Sequence, residues 1–383
     1  MGAFSAWRSY RKLPPEWRRI VFYSESGQDW HHFEPLIDEL NGPLERRVTY
    51  VTSDPGDPGL LRRHERFRAL CIPEGWFLTI HFQFQKAGVV VLTMMDLGTL
   101  QLKRSINPVH YVYLFHSMGS THMVDHANSY DAYDSLFCVG PHHVRELRRR
   151  EELAGLAPRQ LFEFGHPRLE ALVAEAAARP PARNDAPVVL VAPTWGEDSI
   201  FNRCGDALLA TLLDAGYHVI MRPHYHTRRL TPGVLDALIE RFSGHERFEV
   251  VERMGEMDTL FRSDLLVCDW SAMAIEYALG LEKPVLFIDL PRRIRNPDWQ
   301  ALGIEPFESA IREQVGEILS PDRLDEAPAA IERLLASPEA FAGRMRALRE
   351  EAVFNPGRSV ALGAREIARL ADARASAEGK GDG

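Results

Sequence analysis

The chain has 383 residues, enough for two or three domains at roughly 150 residues each. It is 45% hydrophobic, 26% charged and 9% aromatic, the profile of a globular protein rather than a disordered one. Its 45 basic and 54 acidic residues leave a formal charge of −9, which argues against a general nucleic-acid binder. Cys71, Cys138, Cys204 and Cys268 stand alone, so a Cys-x-x-Cys zinc or redox motif is excluded. Unpaired thiols in apolar runs fit a reducing cytosol. No apolar run approaches the ~20 residues that span a bilayer, and the first residues lack the apolar core of a secretory signal.

Short β-rich runs alternate with helical stretches, which predicts α/β architecture with parallel sheets. In chain order the predicted strands are Arg19–Ser24, Arg47–Thr52, Ala69–Ile72, Val89–Thr93, Val109–Phe115, Ser135–Val139 and Leu161–Phe164. A second set follows at Pro187–Val191, His218–Met221, Phe248–Val251, Leu265–Cys268 and Pro284–Ile288. Continuous apolar runs such as VVLVAP and PVLFIDL suit strands covered on both faces. The Pro-rich stretch Ala178–Pro187 reads as a linker, with a domain boundary near residue 183. After Pro306 the pattern turns helical, with helices near 307–319, 325–336, 338–352 and 358–375 and a frayed polar tail. The domains are thus 1–183, 184–357 and a terminal helix 358–383, with a cleft between the two α/β halves.

In open parallel sheets ligands bind beyond the carboxyl ends of the strands, and four segments sit there. The first is Tyr111-Val-Tyr-Leu-Phe-His116-Ser117-Met-Gly119-Ser120. His116, with an ordinary pKa near ~6.5, suits a general base, though a strand-capping histidine has the same signature. The second, Pro193-Thr194-Trp195-Gly196, places Thr194 and the amides after it where a ligand can meet them. The third, Arg222-Pro223-His224, offers a planar guanidinium and an imidazole for phosphate oxygens. The fourth runs Asp269-Trp270-Ser271-Ala272 into a helix carrying Glu276. Ser271 reads as an N-cap at a helix start that binds phosphate, and Glu276 as an acceptor for ribose hydroxyls. Each of these, taken alone, is also compatible with an ordinary turn or capped helix.

Together, in this order and spacing, His116, Pro193-Thr194-Trp195, Arg222-Pro223-His224, Asp269-Trp270-Ser271-Ala272 and Lys283-Pro284-Val285 resemble the CDP-glycerol glycerophosphotransferase family. Gly165-His-Pro-Arg168-Leu, with Glu170 following, is similar to another family segment. The resemblance covers about His116 to Asp289. It departs at Ala272, where the family has a second serine, and in the richer loop after His116. The resemblance implies a GT-B-like fold of two Rossmann-like parallel-sheet domains facing a central cleft. It implies a CDP-linked glycerol phosphate or similar polyol phosphate as donor, no cofactor and no obligatory metal. It also implies a lipid-linked or polymeric glycan as acceptor, with CMP released in cell-surface polymer synthesis at the cytoplasmic side of a bacterial membrane.

On this basis His116 and His224 are expected to be catalytic. Thr194, Arg222, Asp269, Ser271, Ala272 and Glu276 are expected on the donor, and Ser117, Gly119 and Ser120 on the acceptor side. The basic and aromatic N-terminus (Phe4, Trp7, Tyr10 with Arg8, Arg11, Lys12) suits a peripheral contact with an anionic membrane, or an arm packed on the domain. His122 and His126 share helix-face spacing, but the residue after His122 is methionine, not the glutamate of a zincin, so a metal site is not expected. A UDP-sugar transferase or epimerase, or a non-catalytic nucleotide or glycan binder, are the competing functions on the same architecture.

Overall fold

The computed structural model describes residues 2–95, 97–98, 102–180, 184–252 and 257–381. Seven strands form the first sheet: β1 (Ile20–Ser24), β2 (Val48–Thr52), β3 (Phe67–Cys71), β4 (Val89–Leu92), β5 (His110–Leu114), β6 (Ser135–Cys138) and β7 (Gln160–Glu163). Six form the second: β8 (Val188–Val191), β9 (His218–Met221), β10 (Phe248–Val250), β11 (Leu265–Cys268), β12 (Val285–Ile288) and β13 (Gly316–Leu319). The orders are β3-β2-β1-β4-β5-β6-β7 and β10-β9-β8-β11-β12-β13. Every pairing is parallel, so each strand is linked to the next through a crossover. The order reverses between β1 and β4 in one sheet and between β8 and β11 in the other, and such reversals open a crevice at the strand ends.

Twelve predicted strands are present. The helix expected over 307–319 is replaced by two single turns, Phe307–Ala310 and Arg312–Val315, and then by β13. β13 pairs with β12 from Gly316 against Val285 to Leu319 against Ile288. The polar tail does not fray at Ala375: the last helix runs Ser359–Gly381. The predicted boundary at residue 183 lies outside the described residues.

The core has three parts. One lies outside the first sheet, where Phe22, Val91 and Phe137 meet Ile367 and Ala371 of the last helix. A second lies outside the second sheet. The third runs without a break through both halves, from Val90 and Tyr111 by way of Leu169 and Leu172 to Leu266 and Leu279. The helix Met273–Leu281 carries this continuity, and every residue from Ala274 to Leu281 is buried. It packs on the helix Pro167–Ala178 of the first half. Burying one such leucine contributes roughly 1.5–3 kcal/mol, so this seam holds the halves in one orientation.

Polar contacts fasten the seam. Glu276, on the buried helix, meets Arg168 Nε at 2.8 Å and His166 Nε2 at 3.2 Å, both from the first half. Burial alone would raise the Glu276 pKa, but His166 and Arg168 outweigh it and hold the carboxyl below its ordinary value. The chain then crosses back. Phe354 N–H donates to the Val139 carbonyl (2.8 Å), and the Asn355 amide to the Glu163 carbonyl (2.6 Å). This strap runs so close to Gly140 that a Cβ there would lie 1.9 Å from the Ala352 carbonyl oxygen. At Gly165, with φ +106°, a Cβ would lie 2.2 Å from the Phe354 carbonyl oxygen. The last helix then packs on the helix Trp30–Asn41, and Arg46 forks onto Asp372 at 2.9 and 2.8 Å.

Two predictions follow from this seam. Gly140→Ala must push the strap away, which costs about 1–3 kcal/mol and lowers the melting temperature; an unchanged Tm would mean the strap is loosely held. Glu276→Gln removes a buried ion pair and is expected to cost about 3 kcal/mol at pH 7 by urea unfolding. Because the Glu276 pKa is depressed in the fold, its contribution is complete above the ordinary value of 4.5 and is lost as pH falls below it. The difference between wild type and Glu276→Gln is therefore expected to shrink at pH 3–4; a constant difference would refute the charge-based origin.

Candidate functional site

The main cavity has a volume of about 450 Å³ and lies between the halves. Its first-half wall comes from the chain after β5, with His116, Ser117, Gly119, Ser120 and Asp125, together with Arg168. Its second-half wall comes from the loops after β8 (Thr194, Trp195), β9 (Arg222, His224) and β11 (Ser271, Ala272), joined by Arg293 and Glu308. Four separate strand ends thus converge on one space, because parallel strands present all their carboxyl ends at one edge.

Of the residues singled out from the sequence, the cavity gathers His116, Ser117, Gly119, Ser120, Thr194, Arg222, His224, Ser271 and Ala272. It does not include Asp269 or Glu276. Asp269 is buried and accepts the backbone N–H of Thr194 (2.7 Å), Ile200 (3.2 Å) and Trp270 (2.8 Å). It joins the loops after β8 and β11 at the reversal point, so it positions the site rather than touching a ligand. Glu276 is committed to His166 and Arg168. The helix that bears it is apolar all round, so it has no wet face for a ribose. The helix also starts later than expected: Ala272 is its N-cap, no side chain caps it, and Ser271 lies one residue outside. Ser271 and Ala272 still border the cavity at that positive helix end.

The histidines are tuned by burial. Burial pushes the His116 pKa below its ordinary value, while Asp29, the Leu114 carbonyl and Asp125 pull the other way. The His32 ring lies 5.1 Å from that of His116. Burial, then His31 and His116, depress His32 strongly as well. His224 is pushed down to about 4 by burial, with His226 and Arg293 adding repulsion. Its Nδ1 accepts the His226 backbone N–H at 3.1 Å, so in the neutral ring the proton sits on Nε2. His224 is therefore a hydrogen-bond donor beside Arg222. The permanent charge is supplied by Arg168, Arg222 and Arg293, the last lying 4.0 Å over the Trp195 ring.

Ser120 is less available than its position suggested. Its N–H and hydroxyl donate to Glu308 at 2.7 and 2.9 Å, tying the first-half loop to the second half. Burial raises the Glu308 pKa. Lys283, from the Lys-Pro-Val segment, donates to the Phe261 and Ser263 carbonyls and serves the fold. The sequence reading missed Asp125, Arg293 and Glu308 as cavity residues. Arg168 was visible in its Gly-His-Pro-Arg segment but without a role. Among the described residues no group of three or more His, Cys, Asp or Glu is arranged to hold a metal ion.

Comparison with known proteins agrees with this geometry. Residues 107–290 match the family model described as CDP-Glycerol:Poly(glycerophosphate) glycerophosphotransferase. No curated protein matches the chain in sequence. Among solved structures, the wall teichoic acid polymerase TagF superposes with a TM-score of 0.63 at 17% identity, over 97% of this chain and 94% of that one. A TagF variant soaked with CDPG gives 0.60 at 14% identity, over 97% and 94%. The UDP-GlcNAc 2-epimerase of Methanocaldococcus jannaschii gives 0.56 at 12% identity, over 91% and 99%. These structural likenesses establish a GT-B-like fold of two parallel-sheet α/β domains. The matched segment, residues 107–290, carries His116, Thr194, Arg222, His224 and Ser271 of the cavity, and over that segment the chain is similar to the CDP-glycerol:poly(glycerophosphate) glycerophosphotransferases.

Proposed function

We propose that the main cavity binds a CDP-linked glycerol phosphate, or a similar polyol phosphate, and transfers the polyol phosphate to a hydroxyl of a lipid-linked or polymeric glycan in cell-surface polymer synthesis. The observation that carries this reading is the convergence of His116 from one half on Arg222, His224 and the helix start at Ser271–Ala272 from the other. A neutral histidine faces fixed donors and cations, which is the arrangement a phosphoryl transfer needs.

In the proposed reaction His116 takes the proton of the acceptor hydroxyl. The oxygen attacks the phosphorus that bears the polyol, and the bond from that phosphorus to the bridging oxygen breaks. CMP leaves with the electron pair. Arg222 and the His224 Nε2–H stabilise the charge that grows on the phosphate and on the leaving nucleotide. Arg168 and Arg293 hold the negative donor in the cleft. Asp269 and Glu276 act through the backbone and Arg168.

Titration of the protein with CMP, CDP, UDP and CDP-glycerol tests the donor: cytidine nucleotides are expected to raise the Tm selectively. Selective stabilisation by UDP would instead support the UDP-sugar reading, which has the epimerase fold in its favour. With CDP-glycerol and an acceptor, His116→Ala is expected to lower kcat by about 10²–10⁴ while leaving nucleotide binding intact. Near wild-type CMP release by this variant would remove His116 as the base.

The acceptor reading places the protein at a membrane surface. Among the described residues no helix is long and apolar enough to cross a membrane. The helix Ala3–Arg11 packs on the helix Trp76–Phe84 through Phe4 and Phe77 (5.6 Å), and Tyr10 is buried against His81. The pair still exposes Phe4 (52%), Trp76 (74%) and Phe84 (50%) beside Arg8 and Arg11. Exposed aromatics flanked by cations support peripheral docking on anionic lipid. Trp76→Ser with Phe4→Ser is expected to reduce co-sedimentation with anionic vesicles at least severalfold; unchanged sedimentation would refute docking through this face.

A further inference from the structure

A second cavity, of about 380 Å³, opens on the other side of the loop that follows His116. Its first-half wall is the helix Pro141–Ala154, with Glu146, Leu147 and Arg150. The opposite wall is the turn Trp299–Leu302 of the second half. The two cavities have Tyr130 in common, and its hydroxyl donates to Asp125 on the main-cavity side. The volume falls within the range of about 300–1,000 Å³ typical of ligand sites.

Glu146 marks this space as a binding site. Its side chain is 1% exposed. Oε2 accepts the Thr121 N–H (2.7 Å) and hydroxyl (2.8 Å) and stands 3.5 Å from His122 Nδ1. Oε1 is buried and has no hydrogen-bond partner in the protein. A buried acceptor left unpaired costs roughly 1–3 kcal/mol, so the fold gains little by keeping it unless something donates to it. Nearby, His122 Nδ1, Asp131 Oδ1 and Arg150 Nε are likewise buried without a hydrogen-bond partner, although each of these side chains sits beside an opposite charge. Arg150 meets Asp131 at 2.7 Å, and the Asn296 amide donates to the His122 carbonyl at 2.8 Å.

The lining also says what kind of ligand fits. Three carboxylates (Asp131, Glu146, Asp298) face this space against Arg150 and His122, and each of those two is already beside a carboxylate. Burial works against a proton on His122, but Glu146 and the Ile304 carbonyl outweigh it and raise its pKa. Even with His122 charged, the balance does not favour a phosphate. The main cavity, with three arginines, has the opposite character. The wall also has an apolar part, Leu147, Leu302, Ala301 and the half-buried Trp299 indole, with the Arg292 guanidinium 5.5 Å from the centre of that ring. An indole face with a buried carboxylate acceptor suits a neutral polyhydroxylated ring or chain, whose C–H face stacks while a hydroxyl donates.

We propose that this second cavity is a subsite for a neutral sugar or polyol unit, and that it holds a non-reacting part of the acceptor while His116 works on the reacting hydroxyl. The acceptor assignment rests on the transferase reading above; the sugar-binding assignment rests on the cavity alone. The same loop forms a wall of both spaces, with His116 and Ser117 on one and Thr121 and His122 on the other.

The test is saturation-transfer NMR on the full chain with glucose, N-acetylglucosamine and ribitol, and glycerol 3-phosphate as the anionic control. At least one neutral probe is expected to bind in the millimolar range, and Trp299→Ala and the rim-filling Ala301→Trp are each expected to weaken it tenfold or more. Titration of both variants with CMP is expected to match wild type, which also shows that they fold. No binding by any neutral probe, binding that survives both variants, or displacement of the bound neutral probe by glycerol 3-phosphate would overturn the proposal. Neutral-probe binding that passes these tests in a protein that ignores cytidine nucleotides would overturn the donor reading and leave the sugar subsite standing. In a working assay, both variants are expected to raise the acceptor KM with kcat and donor KM unchanged. A fall in kcat alone would contradict the acceptor role.

Discussion

The burial of the helix Met273–Leu281 is the constraint on which the site depends. Its body is packed between the second sheet and the helix Pro167–Ala178 of the first half, and its start borders the main cavity. One rigid element therefore sets both the orientation of the halves and the position of the amides near Ser271 and Ala272. Glu276 adds a directional lock, since it reaches across the seam to hold Arg168, itself a wall of the cavity. Domain orientation and the placement of charge are the same structural fact here.

In the proposed reaction that placement divides the labour between charge and proton transfer. The arginines carry the positive charge of the cavity. The neighbouring histidines His32 and His116 are both depressed by burial, and His116 lowers His32 further. Neutral imidazole is the form that can accept a proton, so desolvation favours base chemistry even though it lowers basicity. His224 reaches neutrality by the same route but with its acceptor nitrogen already occupied. Two histidines with depressed pKa values thus have opposite parts in the proposed reaction, one taking a proton and one offering a hydrogen bond.

Much of this was legible in the sequence, for a simple reason. Parallel strands buried on both faces need continuous apolar runs, and VVLV, LLVC and VLFI are unmistakable as such. Residues at the ends of those runs must gather at one edge, so His116, Thr194, Arg222 and Ser271 could be placed without knowing any contact. β13 escaped because it is a four-residue edge strand, Gly-Glu-Ile-Leu, whose partial exposure leaves no such run. Glu276 was misplaced because a local reading put a lone acid on a wet face. The surrounding residues, Met-Ala-Ile before it and Tyr-Ala-Leu after it, leave that helix no wet face at all. Arg293 lies in irregular chain after β12 and Glu308 in the single turn Phe307–Ala310, both too short of regular structure for periodicity to signal position.

The loop after β5 is where these threads meet. It leaves the sheet at His116 and is then pinned from several directions. Ser120 is held by Glu308, the His122 Nε2 faces the Ile304 carbonyl at 3.1 Å, and the Met123 carbonyl accepts the N–H groups of Arg295 and Asn296. Those partners belong to the second half, whereas Glu146, which holds Thr121, belongs to the first. A segment so fixed on both sides cannot shift without breaking contacts in both halves. His116 is therefore positioned by the assembled pair of domains, not by β5 alone. Whatever occupies the second cavity presses on the same segment from behind, so His116 and any ligand held there share one support.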